Sequence, residues 1–187
     1  MILRWIAAGA LLAFSATVWA VSPYIQGDSV AGGNVQAVAT AVEAKLKTGG
    51  FKVIGTYFPK TLPGYGVVIA TDNAMLDEVG SVGGNAILGA AIRVGVKADG
   101  SVAYTNPDYW YRAYFRKAFD KKEGAVKALQ AHLGETLGAG KGQGGDEPAG
   151  NLANYRYMIG MERLDSPKNK LAEYGSFADA VKTVRDN

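Results

Sequence analysis

Residues 103–122, AYTNPDYWYRAYFRKAFDKK, hold the densest group of side chains able to bind another molecule. Seven aromatic rings lie from Tyr104 to Phe119, with Arg112, Arg116 and Lys117 among them and Lys121 and Lys122 just beyond. Tyr and Trp join an apolar body to a polar tip that needs a partner when buried. Guanidinium groups beside such rings suit an anionic or planar ligand. At helical spacing Tyr111, Tyr114, Phe115 and Ala118 make one side, Trp110 meets Tyr114 through i+4, and Arg112 and Arg116 stand four apart. Two readings follow. The first is an amphipathic helix with buried rings and a solvated basic edge. The second is a shallow pocket formed by Arg93, Tyr104, Asn106, Tyr109, Trp110 and Arg112. In the second, Asn106 caps the helix and leaves Tyr109 and Trp110 at its first turn, where free backbone N–H groups favour an anion. A helix lying on an anionic membrane is a third idea, weakened by Asp108 and Asp120.

Other candidate chemistry is thinner. GKGQGG carries Gly140, Gly142 and Gly145 in the spacing G-x-G-x-x-G, but the dinucleotide motif needs a strand before it and a helix directly after. Here a helical pattern precedes and DEPAG follows, so the stretch reads as a linker. Lys141 is no P-loop lysine, because Gly142 stands where Ser or Thr is required. His132 is the only histidine and lies on the margin of an apolar stripe, with no nucleophile elbow to serve. With no cysteine and one histidine, His/Cys zinc sites are excluded. The pairs Asp77-Glu78 and Asp146-Glu147 match no calcium loop. A carboxylate-dependent hydrolase would need folding to bring acids such as Asp72, Asp77, Glu78 and Asp108 together. The sequence therefore offers no catalytic residue, no metal ligand set and no cofactor.

The chain opens MILRWIAAGALLAFSATVWAVS, in which Arg4 is the only charge before Asp28. The apolar run Trp5–Trp19 is fifteen residues, short of the about 20 needed to span a bilayer. Val18 and Ala20 fill the −3 and −1 places of a cleavage site. This is the plan of a secretory signal peptide, residues 1–20, cut after Ala20. It predicts a periplasmic or secreted protein with no stable membrane anchor after cleavage; an uncleaved anchor is the rival reading. Without cysteine, the exported chain must rest on an ordinary hydrophobic core. The net charge of +3, or +2 once Arg4 is removed, is no nucleic-acid footprint.

After an irregular lead-in at 21–33, periodicity predicts one domain over 34–187. Asn34 caps a helix with Val35, Val38, Val42 and Leu46 on one face, stopped by Gly49-Gly50. FKVIGTYF reads as a strand with Phe51, Val53 and Tyr57 on one face, and VVIA as a central strand. Residues 73–91 form a broken helix or two short ones. IRVGVKADGSVAYT is a hairpin, and matching apolar with apolar favours an Ala-Asp-Gly loop with Val96 opposite Val102 and Gly100 left-handed. The aromatic helix starts at Pro107 and runs to about Phe119; a second spans 123–137 with Val126, Leu129, Leu133 and Leu137 inward. Residues 138–150 are a flexible Gly-rich loop by composition, and YRYMIGME alternates like a half-buried strand. Ser176-x-x-Asp179 opens a last helix with Phe177, Val181 and Val184 inward. That helix echoes the first one, either as a plain closing helix or as a repeat lacking its strand. The class is α+β: an antiparallel β-sheet with amphipathic helices packed on one face.

Three stretches, VQAVATAVEAKLKTGGFKVIGTYF, GYGVVIATDNAML and AAIRVGVKADGSVAYTNPDYW, resemble the family called domain of unknown function 302. The likeness covers roughly residues 34–110, within a unit reaching 119. It implies a small α+β unit with helix packed on sheet, often self-associating as a homodimer, and no established catalytic residues. The leader, the aromatic helix and everything after Phe119 depart from a minimal member. The expectation is an exported, non-enzymatic binding or accessory protein, with the aromatic helix as its surface for a small ligand or partner. Its rivals are the hydrolase and a structural, self-associating subunit.

Overall fold

The computed structural model describes residues 19–156, 158–163 and 165–186. The leader up to Val18, and Tyr157 of the stretch expected to be a strand, lie outside the described residues. The strands are β1 (Ala20–Val21), β2 (Tyr24–Gln26), β3 (Lys52–Tyr57), β4 (Tyr65–Thr71), β5 (Ile92–Lys97), β6 (Val102–Thr105), β7 (Gly142–Gln143) and β8 (Glu147–Pro148). The helices are α1 (Val35–Thr48), α2 (Asn73–Val82), α3 (Pro107–Phe115), α4 (Phe119–Leu137), α5 (Ala149–Leu152) and α6 (Phe177–Asp186). Six strands form one antiparallel sheet in the order β3-β4-β5-β6-β2-β7, and β1 pairs with β8. The fold is α+β.

Alternation decides the two faces of the sheet. Val68, Ala70, Val94, Val96, Val102, Tyr104 and Ile25 point to the side covered by α1 and α4, and all are buried. From the helices come Val38, Val42, Leu46, Val126, Leu129, Leu133 and Leu137. α1 begins where Asn34 Oδ1 accepts the Ala37 N–H at 2.8 Å, and Lys45 and Lys47 suit the negative end of its dipole. The hairpin has Val96 opposite Val102 and Val94 opposite Tyr104. Gly100 is held at φ +90°, and a Cβ there would stand 2.1 Å from Val30 O, so both backbone and space require glycine. Residues 73–91 resolve into α2 and a 3₁₀ turn over Gly84–Ala90.

Six expectations are corrected. The lead-in at 21–33 is not irregular throughout: β2 is an interior strand, with Ile25 opposite Tyr104 and on the other side opposite Gly142. Three residues between Pro23 and Gly27 are too few for a period of two to show in the sequence. In β3 the register shifts between Val53 and Gly55, and this bulge reverses the alternation. Thr56, opposite Val68, therefore faces α1 and bonds Glu43, whereas Tyr57 is exposed. The aromatic helix ends at Phe115, not Phe119, because Arg116 takes φ +54° and a 3₁₀ turn leads into α4. The Gly-rich loop supplies β7 and β8; Gly142 lies so close to Ser22 that a Cβ would meet its Oγ at 2.2 Å. Tyr155–Glu162 forms no strand among its described residues, and Met158, Ile159 and Met161 are exposed. In α6 the capping box forms, Ser176 Oγ accepting the Asp179 N–H at 3.2 Å, but Phe177 and Val184 are exposed rather than inward.

Candidate functional site

The aromatic helix is built from the strand end outward. Asn106 follows β6, and its Oδ1 accepts the Asp108 N–H at 3.1 Å while its Nδ2 donates to Ser22 O at 2.7 Å. The cap thus fastens the chain ahead of β2 to the start of α3. Trp110 Nε1 donates to Pro23 O at 2.9 Å, Tyr111 Oη to Gly89 O at 2.6 Å and Tyr104 Oη to Gly138 O at 2.9 Å. Each tip finds a carbonyl of a different neighbouring segment, which satisfies the polar atom and joins that segment to the core. Burial raises the Tyr104 hydroxyl above its ordinary value and the more deeply enclosed Tyr111 hydroxyl well above it.

The structure brings together Arg93, Asn106 and Trp110. The Arg93 guanidinium lies 5.9 Å from the Trp110 ring centre and donates to Tyr114 Oη at 3.2 Å. The space these residues share with Gly89, Tyr111 and Tyr114 is about 10 Å³, room for one water at most. Tyr104 is elsewhere, on the helix side of the sheet and 1 % exposed. Tyr109 joins a second small core with Val21 and Leu152, its ring 6.2 Å from that of Tyr155. Burial first, then the neighbouring Tyr155 and Glu147, pushes its hydroxyl up to about 12. Arg112 is held by Asp108, Nη2 to Oδ1 at 2.9 Å, and lies 4.1 Å over the Phe119 ring. Asn106 and Arg112 also border a cleft of about 380 Å³ beside Trp19–Ser22, whose charged members Asp108, Arg112, Glu123 and Lys127 pair with one another.

The acidic residues do not converge. Asp72 caps α2 through Met75 N at 2.8 Å and faces His132 Nδ1 at 3.7 Å. Glu78 pairs with Lys122, Asp108 with Arg112, Asp146 with Ser22, and Asp77 is exposed. His132 joins elements: its Nε2 donates to Gly49 O at 2.6 Å and its ring stacks on Phe51 at 4.3 Å. It borders a broad surface depression of about 560 Å³ between α1 and α4. No group of three or more His, Asp or Glu side chains able to hold a metal occurs among the described residues. Nor is any helix among them long and apolar enough to cross a membrane.

The outer face of the sheet differs from all of this. Register places Tyr57, Val67, Gly95, Ala103 and Gln26 in one row across five strands. No helix among the described residues covers this row, and its centre is Gly95 beside Ala103. Between the rims made by Leu62 and Tyr65 on one side and Gln143 on the other lies a mainly apolar trough of about 340 Å³. Lys97 marks its end, with Nζ 5.4 Å from the Tyr65 ring centre. In the sequence this surface is hidden, because the continuous apolar run VVIA marks a central strand without telling its two faces apart. The usable signal was the hairpin register, which puts Gly95 and Ala103 on the face opposite Val94 and Tyr104.

No family model matches the chain, and neither a curated protein nor a solved structure does so. The likeness to domain of unknown function 302 thus rests on the quoted sequence patterns alone.

Proposed function

We propose that the chain is an exported, non-enzymatic binding or accessory protein whose working surface is the outer face of its sheet. The observation that carries this is the open trough over Gly95 and Ala103, an apolar floor with a cationic rim at Lys97. Concave apolar surfaces with a few polar groups at the margin are where ligands and partners bind. The aromatic helix is the weaker surface, since its polar tips are already bonded to carbonyls. The separation of Asp72, Glu78 and Asp108, each with its own partner, and of the exposed Asp77 favours binding over hydrolysis. Export is supported by the leader pattern. Mass spectrometry of envelope material is expected to find Val21 as the first residue; an intact leader on functional protein contradicts export.

A planar anionic dye, 8-anilinonaphthalene-1-sulfonate, tests the surface. Fluorescence enhancement with the native protein is expected to vanish in Gly95→Leu and to persist in Arg112→Ala. The opposite pattern returns the site to the aromatic helix.

A further inference from the structure

α6 is ten residues long and none of them is buried. Phe177 is 85 % and Val184 76 % exposed, and with Val181 they recur at i, i+4 and i+7 on one face. α1 shows how such a stripe is used: Val35, Val38 and Val42, at i, i+3 and i+7, cover the inner face of this same sheet. The chain therefore carries an amphipathic helix without a sheet and a sheet face without a helix. We propose that α6 of a second copy of this chain docks in the outer trough, reciprocally, so that two copies each lend a helix and receive one. This rests on the reading of the trough as a binding surface and names its partner.

Four observations select this occupant. First, the floor is made of the small residues Gly95 and Ala103, which leave depth for a ring such as Phe177. Second, Lys97 stands at the rim and Asp179, held by Ser176, stands in the first turn of α6, while the basic Lys182 and Arg185 lie toward the other end, so one orientation of the helix sets Asp179 against Lys97. Third, the segment leading to α6 is anchored away from its own trough. Asp165 Oδ1 lies 3.0 Å from Arg116 Nη1, at the start of α4 in the helix layer, while the trough is on the other side of the sheet. Fourth, edge-to-edge pairing is discouraged on both sides: edge strand β3 carries Lys52 and a bulge at Val53–Gly55, and the opposite edge, β7, is only two residues long. A reciprocal exchange closes with two-fold symmetry and leaves no unfilled trough to propagate a filament.

Sedimentation velocity on the mature chain, with paired variants, tests this. Gly95→Phe fills the trough and keeps the arm; a Cβ at Gly95 meets only Ala103 O, at 3.6 Å, so the monomer should retain its unfolding midpoint. Phe177→Asp keeps the trough and spoils the arm. The wild type is expected to form a concentration-dependent dimer, and each variant alone to lose about thirtyfold or more in association. A one-to-one mixture is expected to regain a heterodimer through the single intact arm–trough contact. If Gly95→Phe misfolds by circular dichroism, Ala103→Leu replaces it, and Val184→Asp serves as a second arm variant. A wild type that stays monomeric at high concentration overturns the proposal, as do variants that still dimerise or a mixture that does not. Dye binding to a monomeric wild type, blocked by Gly95→Leu, overturns only the exchange and leaves the binding surface standing.

Discussion

α1 and α6 carry nearly the same message in sequence and meet opposite fates. In α1, Val38, Val42 and Leu46 are fully enclosed between the sheet and α4. In α6, a stripe of similar spacing is left exposed at Phe177 and Val184 and half-buried at Val181. Amphipathic periodicity states that a helix has a side to bury; it does not state against what. α1 is followed within three residues by the strand it covers, so its partner is local. α6 follows a long segment with no strand among its described residues, so no sheet lies next to it in the chain. The same sheet shows the matching asymmetry, with one face closed by helices and the other open over Gly95 and Ala103.

The largest expected difference between the two helices is in their contribution to stability. Leu46→Ala should lower the unfolding free energy by about 2–5 kcal/mol, whereas Phe177→Ala should change that of the monomer by about 0.5 kcal/mol or less. Denaturant melts at low protein concentration measure both. A large loss from Phe177→Ala under these conditions breaks the contrast, because it shows α6 packed on its own body. Capping comes next. Asn34→Ala is expected to cost about 1 kcal/mol globally, while Ser176→Ala should fray α6 without moving the main transition. Hydrogen exchange on the amides of both helices separates the two effects.

How much of this was legible beforehand follows the range of the forces involved. α1, its cap, the Ala-Asp-Gly hairpin register and the α4 stripe are set by residues a few positions apart, and all appear as expected. β2 was not legible, because its strand character comes from partners near residues 104 and 142. Tyr57 was placed on the wrong face because one extra residue in β3 inverts everything after it. The site residues divide in the same way. Asn106 caps its helix as read, and Arg93 does reach Trp110, but no spacing rule shows that carbonyls of Pro23, Gly89 and Gly138 would take the ring tips.

Two smaller predictions sharpen the view of those rings as stitches. Tyr104→Phe removes the bond to Gly138 O and should cost about 1 kcal/mol by denaturant unfolding, with dye binding at the trough unchanged. The smallest effect is on pH dependence. The Tyr109 hydroxyl is raised from 10.0 to about 12, chiefly by burial, so the unfolded chain releases this proton first. Its contribution is whole below pH 10 and is lost as the pH climbs through 12. Tyr109→Phe should flatten stability over that interval; an unchanged alkaline slope shows that this hydroxyl is not buried as described.

Methyl-resolved NMR over a dilution series addresses the central claim most directly. With Val and Ala methyl groups labelled, Val67, Ala103, Val181 and Val184 are expected to shift together as concentration rises, while Val38 and Val42 stay fixed. Shifts confined to Val21 and the surroundings of α3, or a trough silent at every concentration, contradict it.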